Sequence, residues 1–228
     1  AKTAARARED VVGDLESIAG VVTKNRLNGG AAIHRPEISA PRGCFNTIAT
    51  PNTEFSRSLL AEIERGCPFK CRFCTVGYER KKIVEMPVEK ISHLVRLAET
   101  HKLRLGMIGS ALLSSKIWKT DRDVWDESSV DFTFASLRAD KLNSGNLRSL
   151  AKFQRSLTLA PEVGTKRMMK LINKRMDLDA AMDRLRLAKE AGVEQVKLYF
   201  IYGFPFETEA DVQGIVDFCA DAVKTGLR

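Results

Sequence analysis

Long apolar runs are missing from this 228-residue chain. No stretch approaches the roughly 18–20 residues of a membrane-spanning helix, so the sequence predicts a soluble protein with no membrane partner. The Ala- and Arg-rich start is not followed by the apolar core of a signal peptide. Cysteine is scarce and odd in number, five in all. That is a poor fit to a disulfide framework and a better one to metal or redox chemistry in a reducing compartment, with the cytoplasm as the expected location. Histidine is scarcer still, at three. No G-x-G-x-x-G follows the first apolar strand, which weighs against a doubly wound nucleotide-binding fold. No short-period repeat is evident, and the chain does not begin with Met, as a processed, renumbered or partial sequence would not.

What is present is an ordinary globular balance, 44% hydrophobic and 29% charged, in a chain long enough for one sizeable core. The formal charge of +8 fits a solvated cationic surface or an anionic partner such as nucleic acid, a phosphorylated cofactor or an acidic substrate. Residues 1–54 differ from the rest. "AARAREDVVGDLESIAGVV" reads as a helix ending near Gly20, and Gly29, Gly30, Pro36, Pro41 and Gly43 punctuate an extended connector after it. This lead-in segment is expected to precede one domain over 55–228.

From residue 58 the chain alternates. "SLLAEIE", "LRLGMIGSA", "VDFTFASL", "RSLTLAPE" and "VEQVKLYFIYGFP" read as strands. Between and after them, "VEKISHLVRLAETH", "NSGNLRSLAKF", "TKRMMKLIN", "LDAAMDRLRLAKEAG" and "ETEADVQGIVDFCADAVKTG" read as helices, with caps expected at Asn143 or Ser144 and at Thr208. Strands alternating with helices predict βαβ units, a parallel sheet and an α/β fold that curls toward a barrel. Five strands are too few to close eight.

Three of the five cysteines sit in "ERGCPFKCRFC", spaced C-x3-C-x2-C at Cys67, Cys71 and Cys74, just past the first strand. Ligands in parallel α/β folds bind at that edge. Arg65, Lys70, Arg72, Arg80, Lys81 and Lys82 crowd around them, opposed by Glu62, Glu64 and Glu79. A structural zinc site wants four protein ligands, usually as two pairs. Cys44, Cys219, His34, His93 and His101 offer no spaced second half. A 4Fe–4S cube on three thiolates leaves one iron free and carries a net negative charge that nearby cations favour. An electron-transfer cluster and a zinc-stabilised binding module stay open as alternatives.

With Phe73 just before the last cysteine, "SLLAEIERGCPFKCRFC" resembles the cluster motif of the radical S-adenosylmethionine superfamily, particularly members that often carry an upstream cobalamin-binding domain. The likeness runs through most of residues 55–228. It implies a partial (β/α)6, TIM-like barrel of parallel strands, here lacking its sixth strand. It further implies that Cys67, Cys71 and Cys74 ligate a 4Fe–4S cluster, whose free iron chelates the amino and carboxylate groups of S-adenosylmethionine, with Phe73 near the adenine. Gly109 and Ser110 in "MIGSAL" stand where a Gly-Gly-Glu-like segment receives the methionine amino group, although no acidic residue follows. Ser136 and Arg138 are implied for a ribose hydroxyl or a carboxylate, Glu162 for the cofactor's polar groups and Lys174 for its carboxylate. "LYFIYGFPFETEAD" resembles the I-x-G strand and G-x-P-x-E-T turn of the superfamily, so Ile201 would pack on adenine and Gly203 would permit close backbone approach. Plainer readings stand beside these: core packing for Phe73 and Ile201, a turn for Gly109, a surface position for Arg138.

The implied activity is reductive cleavage of S-adenosylmethionine to a 5′-deoxyadenosyl radical that abstracts hydrogen from a substrate, fed by a low-potential electron donor. The substrate is left open as a small molecule, peptide or RNA. The basic rim favours an anionic one, and methylthiolation-type RNA modification is the nearest specific version. A cobalamin-dependent radical methyltransferase is the further alternative. None of the three histidines has an Asp two positions before it, so a D-x-H-x-x-G cobalamin motif would lie in a domain outside this chain.

Overall fold

The computed structural model describes residues 8–18, 21–24, 28–29, 44–80, 82–116, 118 and 127–228. The chain divides into two compact units, Ala1–Ser39 and Ala40–Arg228. In the first, helix α1 spans Arg8–Glu16. The expected helix end at Gly20 and most of the connector, including Gly30, Pro36, Pro41 and Gly43, lie outside the described residues, as does Lys81.

The second unit is built on five parallel strands. β1 (Ser58–Glu62) buries Leu59 and Ala61 by simple alternation, and Ile63 continues the pattern. After the short elements β2 (Glu64–Arg65), α2 (Val76–Glu79) and β3 (Val84–Glu85), the helix α3 (Val88–His101) crosses over to β4 (Arg104–Ile108). α3 turns Ile91, Leu94, Val95 and Ala98 inward at the spacing the sequence shows. β4 lies parallel to β1, Ser58 opposite Arg104 through Glu62 opposite Ile108. β5 (Phe132–Phe134) continues the parallel order with Leu105 opposite Phe132.

Helix α4 (Ser144–Phe153) then leads to β6 (Ser156–Glu162). Its start is fixed by a reciprocal pair: the Asn146 amide donates to Asn143 Oδ1 at 2.9 Å, and the Asn143 amide to Asn146 Oδ1 at 2.8 Å. A parallel bridge between Leu137 and Leu159 links the chain leaving β5 to β6. α5 (Lys166–Leu171) and α6 (Leu178–Glu190) follow, then β7 (Gln195–Phe200), parallel to β6, and α7 (Glu209–Lys224). Arg228 donates to the Glu194 carbonyl at 3.0 Å and accepts from the Val196 amide at 2.9 Å, the bonding of a parallel neighbour on the other side of β7.

Val196, Leu198 and Phe200 of β7 pack on the core, Phe200 meeting Phe218 of α7 with ring centroids 6.0 Å apart. Gln195, Lys197 and Tyr199, alternating with them, are exposed. The result is a partial parallel α/β barrel. Among the described residues no helix is long and apolar enough to cross a membrane. Every candidate residue of the site sits at or just beyond the C-terminal end of one of the five parallel strands, apart from Lys174, which follows α5.

Candidate active site

The expected strand over residues 58–64 breaks at Ile63. Glu64 and Arg65 turn away to pair antiparallel with Glu85 and Val84, stapling the base of the cysteine loop. Gly66 closes the staple at φ +100°, where an added Cβ would stand 2.2 Å from the Lys82 carbonyl oxygen. The Cys67 amide donates to the Arg80 carbonyl at 2.9 Å. On α2, a Cβ on Gly77 would stand 1.7 Å from the Phe69 carbonyl oxygen, so the loop and the helix touch backbone to backbone.

The loop also docks on the turn after α5. The Arg72 amide donates to the Ile172 carbonyl at 2.8 Å, and its guanidinium to the Leu171 carbonyl. The Lys70 carbonyl accepts from Asn173 Nδ2 at 2.6 Å and from the Tyr78 hydroxyl at 3.1 Å. The three thiols are free, Cys71 buried and Cys67 and Cys74 half-buried. Among the described residues no three His, Cys, Asp or Glu side chains gather tightly enough for one metal ion. Zinc held at about 2.3 Å from each sulfur would draw three thiolates to about 3.8 Å of one another. A cube gives each thiolate its own iron, so the donor set fits a cluster better than a single ion.

Two cations stand at these thiols. The Arg138 guanidinium lies 3.7 Å over the Phe69 ring, and its Nε donates to Asp140 at 3.0 Å. Its charge also lies close enough to act on the Cys71 thiol. Lys174, only 5% exposed, donates to the Ala160 carbonyl and to Glu162 Oε1, the latter at 2.9 Å. Burial pushes the Cys71 thiol up, and Arg138 and Lys174 pull it back down. Burial likewise raises Cys67, opposed by a backbone hydrogen bond at Phe69 and by Arg138. The candidates Arg138, Glu162 and Lys174 therefore come together around Cys71, with Glu162 and Lys174 paired to one another. Glu162 is held at φ +73°, a left-handed conformation uncommon outside glycine.

At the end of β4 the sequence offers no acidic residue after Gly109 and Ser110, yet a carboxylate is there. Glu64, 1% exposed, accepts from the Ser110 amide at 2.7 Å and the Ala111 amide at 2.8 Å. A Cβ on Gly109 would press on Glu64 and Leu112 at 3.2 Å. Burial raises the Glu64 carboxyl above its ordinary range against those two amides. Sequence reasoning counted Glu64 only among the charges near the cysteines; strand alternation sets it on the face opposite Leu59, Ala61 and Ile63, so no local signal marks its burial. Ser136, exposed, lines a small cleft with Ser110 and Arg138.

Phe73 is 37% exposed and meets Phe204 with ring centroids 6.0 Å apart. Ile201 is half-buried, and its amide donates to the Glu162 carbonyl at 2.8 Å. Gly203 sits at φ +89°, with no protein atom within 4 Å of where a Cβ would stand. Its conformation accounts for the glycine, and the space beside it is open. Cys44 contacts Arg65 at 3.5 Å, on the flank of β1, and Cys219 lies on α7.

Residues 62–219 match the sequence model of the radical SAM superfamily, a span that takes in the cysteine loop and all the strand ends around it. The chain belongs to that superfamily. Radical SAM proteins are enzymes that use a 4Fe–4S cluster and S-adenosylmethionine. Among its relatives, an uncharacterized protein of Methanocaldococcus jannaschii is 34% identical over 190 residues, covering 79% of this chain and 41% of that one. The tRNA-2-methylthio-N(6)-dimethylallyladenosine synthase of Roseobacter denitrificans is 26% identical over 200 residues, covering 78% and 44%. The radical SAM chain thus spans less than half the length of these relatives. In fold it resembles the cobalamin-dependent radical enzyme OxsB with aqua-cobalamin bound, at a TM-score of 0.57 and 17% identity over 70% of this chain and 26% of that one. It also resembles coproporphyrinogen III oxidase (HemN) from Escherichia coli, at 0.53 and 16% over 69% and 40%.

Proposed function

We propose that Cys67, Cys71 and Cys74 hold the 4Fe–4S cluster of a radical SAM enzyme and that the strand ends around it hold S-adenosylmethionine. The observation that carries this is the loop itself: three thiols on one turn wedged against α2 and the 171–173 turn, with the charges of Arg138 and Lys174 acting on Cys71. When bound, the cluster and S-adenosylmethionine supply one-electron cleavage of the sulfonium and abstraction of a hydrogen atom from substrate.

The chain's own residues do the rest. Arg138 and Lys174 offset the negative charge of ligated thiolates, which burial alone would disfavour. Glu64 fixes the loop through the Ser110 and Ala111 amides, and the Gly109 and Ser110 carbonyls are the groups to accept from the methionine amine. Phe73 and Ile201 flank the adenine, and the open space at Gly203 lets a ligand approach the backbone. Ser136, with Ser110 and Arg138 around the cleft, is placed for a ribose hydroxyl or the carboxylate. Glu162 orients Lys174, and the pair acts as one unit. A low-potential electron donor is the required protein partner, in a reducing compartment such as the cytoplasm.

The substrate reading is an anionic one, RNA in particular. The net charge of +8 and the similarity to a tRNA-modifying synthase support it. Cobalamin, which the fold relative OxsB binds, would belong to a domain outside these residues.

The test is anaerobic reconstitution followed by iron and sulfide analysis and electron paramagnetic resonance of the reduced chain, with and without S-adenosylmethionine. A cubane signal that changes on adding S-adenosylmethionine, and that disappears in Cys71→Ser, is expected. Zinc in place of iron, or a cluster signal indifferent to S-adenosylmethionine, overturns the proposal.

A further inference from the structure

The turn after β7 carries two aromatic rings that the fold does not bury. Tyr202 is 78% exposed and Phe206 is 80% exposed. The turn beneath them is firmly held: the Gly203 amide donates to Glu207 Oε2 at 2.7 Å, and the Glu207 amide to the Phe204 carbonyl at 3.1 Å. Arg167 donates to the Phe206 carbonyl at 2.9 Å while it is also paired with Asp211. Phe206 sits at φ +67°, where glycine is unstrained and any residue with a Cβ is disfavoured. A ring therefore occupies a position that the backbone would give to glycine, and burial repays none of that strain.

The rings belong to a longer surface. Phe204, between them in sequence, packs on Phe73 of the cysteine loop. That loop exposes Lys70 and Arg72, their backbones locked to the 171–173 turn. Through the Phe204–Phe73 contact the exposed rings of the turn after β7 adjoin a loop that exposes cations, a ledge offering an alternation of apolar faces and charge. An unpaired nucleic-acid strand matches that alternation, its bases stacking on rings and its phosphates meeting cations. A purely apolar partner would leave the cations unused.

We propose that this ledge binds the unpaired bases of a single-stranded RNA segment, stacked on Tyr202 and Phe206 with the phosphates passing Lys70 and Arg72. The proposal rests on the RNA reading of the substrate and is independent of the cluster.

The experiment is fluorescence anisotropy of a labelled oligoriboadenylate of about twelve nucleotides, within the footprint of a single-strand site, against an RNA duplex of equal length over a salt series. The parent chain is compared with Phe206→Gly, Tyr202→Ala and Lys70→Ala. Phe206→Gly is expected to bind the single strand at least about fivefold more weakly with an unchanged salt slope, and to melt no lower than the parent because its backbone strain is relieved. Tyr202→Ala should weaken binding similarly, and Lys70→Ala should flatten the salt slope by roughly 0.7. Parent affinity in both ring variants, with RNA still bound, overturns the ledge and leaves the RNA reading standing. Failure of the parent to bind RNA overturns both. Sedimentation showing a dimer that dissolves in Phe206→Gly, with RNA binding intact, would assign the rings to a second copy instead and also overturns the ledge.

Discussion

Glu64 and Asp211 are both buried carboxylates, and each holds one side of the strand-end surface. Glu64 secures the loop after β4 through the Ser110 and Ala111 amides; among the described residues no Lys or Arg pairs with it. Asp211 secures the turn after β7 by accepting from the Thr208 amide at 3.0 Å and hydroxyl at 2.6 Å, from the Thr165 hydroxyl at 2.6 Å, and from the Arg167 guanidinium. Their titration moves in opposite directions. Burial, with Glu85 and Glu62 nearby, lifts Glu64 above its ordinary range, whereas Arg167 and the two hydroxyls hold Asp211 far below it. The charged form of Asp211 is thus favoured by its partners, whereas that of Glu64 is disfavoured by its burial.

The largest way to break the contrast lies on the Glu64 side. Gly77→Ala should cost about 3 kcal/mol, because its methyl meets a backbone carbonyl that cannot retreat without moving the cysteines. Loss of iron on reconstitution together with a lower melting temperature is the expected result. Glu64→Ala comes next, at about 2 kcal/mol, since the buried Ala111 amide and the part-buried Ser110 amide lose their acceptor. Weaker S-adenosylmethionine binding with normal iron content should accompany it, read by equilibrium dialysis of the reconstituted chain.

The pH profiles sharpen the comparison further. A raised carboxyl contributes stability that is present below its unfolded value, about 4.3, and is lost as pH rises through the folded one. Glu64→Gln should therefore gain on the parent in melting temperature as pH rises from about 4 toward neutrality. A depressed carboxyl behaves in reverse. Asp211→Asn should lie a few degrees below the parent at neutral pH, and the gap should close as pH falls below about 4. Calorimetric melting across the acid range reads both, and parallel profiles for the two variants would erase the distinction.

The parallel strands and the helices of the larger unit were legible because apolar spacing marks them: Leu59, Ala61 and Ile63 by alternation, Ile91, Leu94, Val95 and Ala98 by the helical repeat. The family was legible in three cysteines and the aromatic residue beside the last. The β2–β3 staple was not, since two residues on each side carry no periodicity. Nor was the role of Glu64, whose partners are backbone amides 46 and 47 positions away. Glu162 and Lys174 could each be picked from strand-end position and charge. Their mutual pairing depends on the fold bringing the residue after α5 back over β6, which no local pattern encodes.

The docking of the cysteine loop on residues 171–173 also sets a timetable. Arg72 and its carbonyl partner Leu171 are 99 positions apart, which at about 5–20 residues per second is roughly 5–20 seconds of synthesis. During that interval the three thiols have emerged from the ribosome but lack the wall that shapes them. Docking of the loop is therefore an event of the later chain, and a nascent chain stalled before residue 171 would present the same cysteines without that wall.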